Sequence, residues 1–164
     1  MHVFDVSCCL WPWRQGQEFE FVLSATLIAV VLVTVTLGMH VAGFGIMLRS
    51  IWPLGLAPPT RVPLLVLLIQ RVAWWLIFLH VLEIGVWASF YRVAHCFPDA
   101  ESAFYFSGIT YTTVGYGDLL LPVRWRILSP IESLTGILMC GLSASAFFAL
   151  VNMIVKARSV ARHQ

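Results

Sequence analysis

Three long apolar stretches constrain the fold of this chain more than any other feature. They cover residues 21–48, 72–91 and 127–155, and each has the roughly 20 apolar residues that a helix needs to cross a bilayer. The first has no charged residue, and the other two have one acid each, Glu83 and Glu132. Only 11% of all residues are charged, against roughly 25% in soluble domains. The sequence therefore predicts an all-α membrane protein with three transmembrane helices.

The segment between the first two stretches is predicted to be a linker. Residues 49–69 contain four prolines, Pro53, Pro58, Pro59 and Pro63, and proline interrupts a helix interior. Helix is expected to resume near Pro63, because proline suits the first turn of a helix. This segment is interpreted as cytoplasmic or interfacial.

Basic residues predict the orientation of the spans. Those assigned to the cytoplasmic side are Arg49, Arg61, Arg71, Lys156, Arg158 and Arg162. No acid accompanies them, and cytoplasmic loops carry an excess of Lys and Arg. We therefore expect a multi-pass protein of the cell membrane, with residues 1–20 outside and the tail, residues 159–164, in the cytoplasm.

A fourth apolar segment, residues 102–113, is too short to span. It predicts a helix of about three turns that starts at Asp99 or Ser102 and is followed by "TVGYG". Non-helical backbone at this depth persists only where it is buried in protein or lines a water-filled path. Gly115 and Gly117 permit backbone angles that aim successive carbonyls the same way. Such oxygens can replace the water shell of a monovalent cation, so the pattern indicates an ion path.

The stretch "TTVGYGD", residues 112–118, resembles the selectivity-filter signature of potassium channels residue for residue. The order of outer helix, pore helix, filter and inner helix over residues 70–158 resembles the pore domain of the potassium channel superfamily. One further span precedes it, as in a small bacterial-type pore-only channel with an added N-terminal helix. The resemblance implies passive, selective K⁺ conduction by a homotetramer, because one chain supplies only one wall of the pore.

The resemblance also implies roles for individual residues. The K⁺ ligands are expected to be the carbonyls of Thr113, Val114, Gly115 and Tyr116 and the Thr113 hydroxyl, and the filter also includes Gly117. The residues expected to support the filter are Thr112, Asp118, Tyr105, Phe106, Ile109 and Glu132. Candidates for a gating hinge on the inner helix are Gly136 and Gly141, between which spacing does not decide.

One departure from the family concerns the back of the filter. Some bacterial channels have a pore-helix glutamate, paired with the aspartate that follows the filter, where this chain has Ile109. Tyr105, Arg124 or Arg126 are alternative partners for Asp118. Glu132 is expected to lie behind the filter and to pair with Arg124 or Arg126.

A second acid, Glu83, lies in the middle of the outer helix. We interpret it as a hydrogen-bonded structural group that faces His80, Ser89 or the first span, in preference to a gating residue. Acids inside membranes are costly enough to be functional candidates by default. The oxidation state of Cys8, Cys9 and Cys96 is left open.

Other classes of function are disfavoured. The chain has no GxSxG motif, no phosphate-binding loop and no histidine boxes, so no enzyme is predicted. A net charge of +2 without a basic cluster does not indicate nucleic-acid binding. No cofactor or small-molecule substrate is expected, and K⁺ is the permeant ion. The alternatives are a weakly selective cation channel of the same fold and the membrane subunit of a potassium transporter.

Overall fold

The computed structural model describes residues 15–55 and 62–162, and that part of the chain is helical with connecting turns. The helices are α1 (Gln15–Gly55), α2 (Val62–Val93), α3 (Ala100–Tyr111) and α4 (Leu128–Arg162), with a single 3₁₀ turn at Val123–Trp125. Three segments are long and apolar enough to cross a membrane: Val22–Ser50, Val62–Val93 and Val123–Met153. The prediction of an all-α membrane protein with three spans is confirmed.

The helix ends differ from the sequence prediction in the linker. Helix α2 starts at Val62 and has Pro63 in its first turn, as expected. Helix α1, however, continues through Pro53 to Gly55, so most of residues 49–69 is helical. Pro53 lies close enough to the end of α1 that the helix loses one backbone hydrogen bond there without stopping earlier. Cys8 and Cys9 lie outside the described residues.

Helix α1 packs along the pore unit at two levels. Near its N-terminal end, Ala25, Ala29 and Leu32 join a buried cluster with residues of α2, α3 and α4. Small side chains at a spacing of four residues allow membrane helices to approach closely. Nearer its other end, Met47 packs with Val72 of α2 and Leu150 of α4. The first span is therefore part of the packed subunit.

One close contact between α1 and α2 lies at Gly43. A Cβ atom there would lie 2.7 Å from the tip of the Leu79 side chain, so Leu79 would have to shift to accept it. The Trp75 indole Nε1 donates a hydrogen bond of 3.1 Å to the Gly43 carbonyl.

Candidate functional site

The short helix α3 begins at Asp99, one of the two predicted caps. The Asp99 carboxylate accepts hydrogen bonds from the Ser102 backbone N–H at 2.7 Å and from the Ser102 hydroxyl at 2.9 Å. Glu101 lies in the first turn, where a negative charge complements the helix dipole. This cap fixes where α3 starts, and α3 then ends directly at the TTVGYGD stretch.

Because the capping group of α3 is a carboxylate, the stability of the protein should depend on pH through Asp99. Hydrogen bonds from Ser102 lower the pKa of Asp99 below its ordinary value of 3.8, with help from the charge of Arg92. The stabilisation is therefore fully present above pH 3.8 and is lost as pH falls through the lowered pKa. Asp99→Asn keeps a good cap but cannot ionise. We expect the unmodified protein to lose stability as pH falls below 3.8 by an amount that the variant does not lose. Thermal unfolding scans of both proteins across about pH 2–6 measure this difference, and identical pH profiles would contradict it.

Helix α3 and the following loop are joined by backbone hydrogen bonds. These bonds are Thr112 N–H to Gly108 O (3.1 Å), Thr113 N–H to Thr110 O (3.0 Å) and Gly115 N–H to Ile109 O (3.0 Å). The last bond ties the middle of the loop back to α3 and turns the Gly115 N–H toward that helix. Ile109 thus supports the loop through its main chain.

The loop alternates in backbone handedness. Thr113, Gly115 and Gly117 have φ of 62°, 54° and 75°, whereas Val114 and Tyr116 between them have negative φ. In a regular strand, successive residues face opposite sides; inverting φ at every second residue instead turns successive carbonyls toward one side. Glycine adopts positive φ freely. For the β-branched Thr113 it costs of order 1–3 kcal/mol, and such strain clusters at functional sites.

Helix α4 contributes a buried acid that contacts α2 and α3. Glu132 is fully buried; Tyr91 donates to its Oε2 at 2.7 Å and Ser107 to its Oε1 at 2.5 Å. These donors lie on α2 and α3, so one carboxylate joins three helices. Beside it, the Ser133 hydroxyl donates to the Thr110 carbonyl at 2.9 Å.

The expected arginine partner of Glu132 is therefore wrong. Arg124 and Arg126 are exposed and precede α4, and the Arg124 guanidinium lies over the Trp125 ring, 4.7 Å from its centroid. Glu132 points into the helix bundle, where hydroxyl groups are its donors.

The side chains of Tyr105 and Phe106 lie in different environments. The Tyr105 hydroxyl donates to Asp118 Oδ2 at 2.8 Å, and this hydrogen bond raises the pKa of Tyr105. Of the three candidate partners for Asp118, Tyr105 is the one that the structure places in hydrogen-bond contact. Phe106 is buried and packs edge-on against Tyr91, with ring centroids 5.4 Å apart. Only Tyr105 touches the end of the loop directly.

The two candidate hinge glycines differ in their surroundings. A Cβ at Gly136 would lie 2.0 Å from the Tyr111 carbonyl oxygen, whereas a Cβ at Gly141 would meet nothing within 4 Å. Glycine is therefore required at position 136 for α4 to pack against the end of α3. This requirement is independent of any hinge role in opening the pore. A hinge role for either glycine stays a prediction.

Comparison with known families identifies the segment that carries these features. Residues 76–152 match the protein family described as "Ion channel". These residues are an ion channel domain. The match runs from the middle of α2 through α3 and the TTVGYGD loop into α4. No curated protein and no solved structure matches the chain.

The ion channel domain agrees with the resemblance found in the sequence. The match and the three apolar helices found among the described residues are consistent with a small channel of the superfamily, with one apolar span before the matched segment. The domain and the three apolar helices support a multi-pass membrane protein, and the domain indicates ion conduction through a channel. The individual filter and support residues stay predictions.

A polar cluster that sequence reasoning only partly anticipated joins the ion channel domain to α1. Glu83 is fully buried and contacts His40 Nδ1 of α1 at 2.7 Å and His80 Nδ1 at 3.1 Å. Tyr111, at the end of α3, donates its hydroxyl to Glu83 as well. The expectation that Glu83 is hydrogen-bonded to His80 and the first span is confirmed.

The roles of His40 and Tyr111 in this cluster were missed. The only sequence signal was the spacing of His80 and Glu83, three residues apart on one helix, which places them on one face. His40 lies on another helix, with no spacing to connect it to Glu83.

Proposed function

We propose that this protein is a potassium-selective channel that conducts K⁺ passively across the cell membrane as a homotetramer. The observation that carries the proposal is the alternating handedness of Thr113, Gly115 and Gly117 within a stretch identical to the potassium-filter signature. Carbonyls turned to one side form a row of oxygens, and such rows replace the hydration shell of K⁺ in filters. The ligands are the carbonyls of residues 113–116 and the Thr113 hydroxyl, with Gly117 completing the filter.

The position of α3 supports a cation site beyond its end. The C-terminus of a helix carries a partial negative charge of about half an elementary charge, and α3 ends at Tyr111, just before the filter. The nearest charged residue after the filter is Asp118, held by Tyr105. Both features favour a cation at the filter, and no further cofactor is invoked.

The tetramer is supported by what a single chain leaves uncovered. Val114 and Tyr116 are 51% and 72% exposed in one subunit, although a filter must be enclosed to hold a dehydrated ion. Four filter strands around one axis close the ring of carbonyls and cover these residues. The remaining surface of the helices is apolar and suited to lipid, and neither nucleic acid nor a small-molecule substrate is part of the proposal. The N-terminus lies outside and the C-terminus in the cytoplasm, from the distribution of basic residues.

Ion flux in liposomes tests the proposal. We expect the purified full-length chain to pass K⁺ about tenfold faster than Na⁺ or more, since about 1.4 kcal/mol of discrimination produces that factor. Gly115→Ala should abolish the flux, because an L-residue in the left-handed region costs roughly 1–2 kcal/mol and the cost recurs in every subunit. The matched control is Gly45→Ala, in a helix and with nothing within 4 Å of the added Cβ, which should conduct normally.

Each alternative corresponds to a distinct result. Equal K⁺ and Na⁺ flux would indicate the weakly selective cation channel, and persistent flux in Gly115→Ala would overturn the assigned filter. A particle mass in detergent other than four times the 18.4 kDa chain would reject the tetramer. Transport that depends on a second protein would favour the membrane subunit of a potassium transporter.

A further inference from the structure

We propose that His40, His80 and Glu83 form a binding site for a divalent transition-metal ion, with Zn²⁺ as the best-suited ion. The site lies between α1 and α2, and metal binding there would be a function separate from K⁺ conduction. Its three ligand atoms, one from each residue, all lie within 4.8 Å of one another.

The separations of the ligand atoms suit a small metal ion. His40 Nδ1 lies 2.7 Å from Glu83 Oε1, and His80 Nδ1 lies 3.1 Å from Glu83 Oε2. Zinc bonds to nitrogen and oxygen of about 2.0–2.2 Å in a tetrahedron set ligand atoms roughly 3.3 Å apart. The two histidine–carboxylate contacts are within about 0.6 Å of that separation, and the three ligand atoms, none more than 4.8 Å from another, would close around the ion.

The donor set suits zinc chemically. Two imidazoles and one carboxylate are the ligands of one known class of zinc site with an open fourth position, and imidazole also favours zinc over magnesium or calcium. The Tyr111 hydroxyl, 3.0 Å from His80 Nδ1, borders the position that a fourth oxygen ligand or a water molecule would take. The His80 side chain is 19% exposed, which leaves one approach to the cluster in the subunit.

Groups outside the three ligands hold them in orientation. Metal-binding histidines usually bond a partner through their second ring nitrogen, and ligand carboxylates are themselves hydrogen-bonded. Here His40 Nε2 lies 3.4 Å from the Ser143 hydroxyl of α4, and Glu83 accepts the hydroxyl of Tyr111. His40 and Glu83 therefore each have a supporting contact of the kind that a metal site calls for.

Charge provides a further reason. Glu83 is fully buried in an apolar span, where an uncompensated carboxylate is expensive. In the part of the chain that the structure describes, its ion-pair partners are the two histidines. A divalent ion held by neutral imidazoles compensates the carboxylate directly.

The site would connect the first span to the pore. His40 belongs to α1, His80 and Glu83 to α2, and Tyr111 to the end of α3, next to the loop. A bound ion would crosslink α1 and α2. It would be coordinated by the Glu83 carboxylate, which also accepts a hydrogen bond from Tyr111. We therefore expect zinc to raise the thermal stability of the assembled protein.

Zinc binding to the purified full-length protein tests this proposal. The protein is stripped with a chelator, exposed to ZnCl₂ and assayed for bound zinc by elemental analysis and for its melting temperature. We expect one His40-dependent zinc ion per chain. His40→Gln and His80→Gln should each weaken binding at least about 100-fold, since even outer groups change metal affinity by roughly 10–100-fold. The matched control is His95→Asn, at an exposed position with φ of 53° that asparagine tolerates, and it should bind as the unmodified protein does.

X-ray absorption of the zinc-loaded, unmodified protein needs no variant to fold. Nitrogen and oxygen neighbours at about 2.0–2.2 Å with two imidazole signatures support the site, whereas sulfur at about 2.3 Å assigns the zinc to cysteine and overturns it. Absence of bound zinc, or zinc retained in full by folded His40→Gln, also overturns it and leaves the cluster as a hydrogen-bonded network. Because metal content is measured without ion flux, this result is independent of the proposed conduction.

Discussion

Gly136→Ala should disrupt the folded channel more than any other single-methyl addition to α4. The added Cβ would lie 2.0 Å from the Tyr111 carbonyl oxygen and 2.9 Å from the Tyr111 carbonyl carbon. Backbone cannot rotate away as a side chain tip can, so α4 must move off the end of α3. Overpacking typically costs about 1–3 kcal/mol and occasionally more, and we expect the upper end or beyond in each subunit. The measurement is the fraction of assembled protein after purification and its melting temperature.

The matched control for this variant is Gly141→Ala, five residues further along α4. Nothing lies within 4 Å of a Cβ there, and alanine is about 1 kcal/mol better than glycine in a helix interior. Gly141→Ala should therefore be as stable as the unmodified protein or slightly more so. If the two variants unfold at the same temperature, the close contact between α4 and α3 is not as the structure has it. Flux through folded Gly141→Ala then tests the hinge prediction separately, since a required hinge would lose conduction without losing stability.

Glu132→Ala is expected to produce the second large loss. The carboxylate accepts from Tyr91 and Ser107 and is fully buried. Its removal leaves the buried Tyr91 hydroxyl without that acceptor, whereas Ser107 can still donate to the Ile84 carbonyl at 3.0 Å. Each unsatisfied buried group costs about 1–3 kcal/mol, and the space left by the side chain adds to the cost. We expect a marked fall in melting temperature and, in protein that still assembles, loss of K⁺ flux as α3 loosens.

Two further variants isolate the contribution of the carboxylate. Glu101→Ala removes an exposed acid from the first turn of α3 and should cost less than about 1 kcal/mol, the usual size of a helix-dipole effect. Tyr91→Phe removes one donor and leaves the carboxylate. Because the two groups share a hydrogen bond, Tyr91→Phe and Glu132→Ala should be non-additive in a double-mutant cycle. An additive cycle, or equal losses for Glu132→Ala and Glu101→Ala, would refute a joining role for Glu132.

Glu132 also changes how the departure at residue 109 is understood. With isoleucine on the pore helix, no acid from α3 can lie behind the loop. The structure shows a buried acid of α4, Glu132, that is joined to α3 through Ser107, while the Ile109 carbonyl accepts from the Gly115 N–H. We infer that the support expected from the pore helix is divided between the inner helix and backbone hydrogen bonds.

Features that depend on neighbours in sequence were predictable. The lengths of the apolar stretches indicated three spans, and Asp99 was recognisable as a cap because capping acts within three residues. The linker was the local feature that misled: Pro53 predicted an interruption, yet α1 continues to Gly55. A proline near a helix end removes few hydrogen bonds, and its effect is weaker there than in the interior.

Contacts between helices could not be predicted in the same way. The spans are apolar around most of their circumference, so they lack the polar stripe from which the facing side of a soluble helix is inferred. Without it, the sequence could not tell that His40 faces Glu83 across α1 and α2, or that hydroxyls and not arginines reach Glu132. It also could not distinguish Gly136 from Gly141, since both are glycines in one helix.

The sequence by itself determined the spans, the short helix and the TTVGYGD stretch, because apolar length and a contiguous motif are properties of the chain alone. The ion channel domain follows from the same segment. Only the tertiary structure decided which buried acids meet which partners and where two backbones come too close for a methyl group. These contacts depend on how each helix is rotated about its axis and where it crosses its neighbours. That rotation is determined by the packing of side chains from four separate helices.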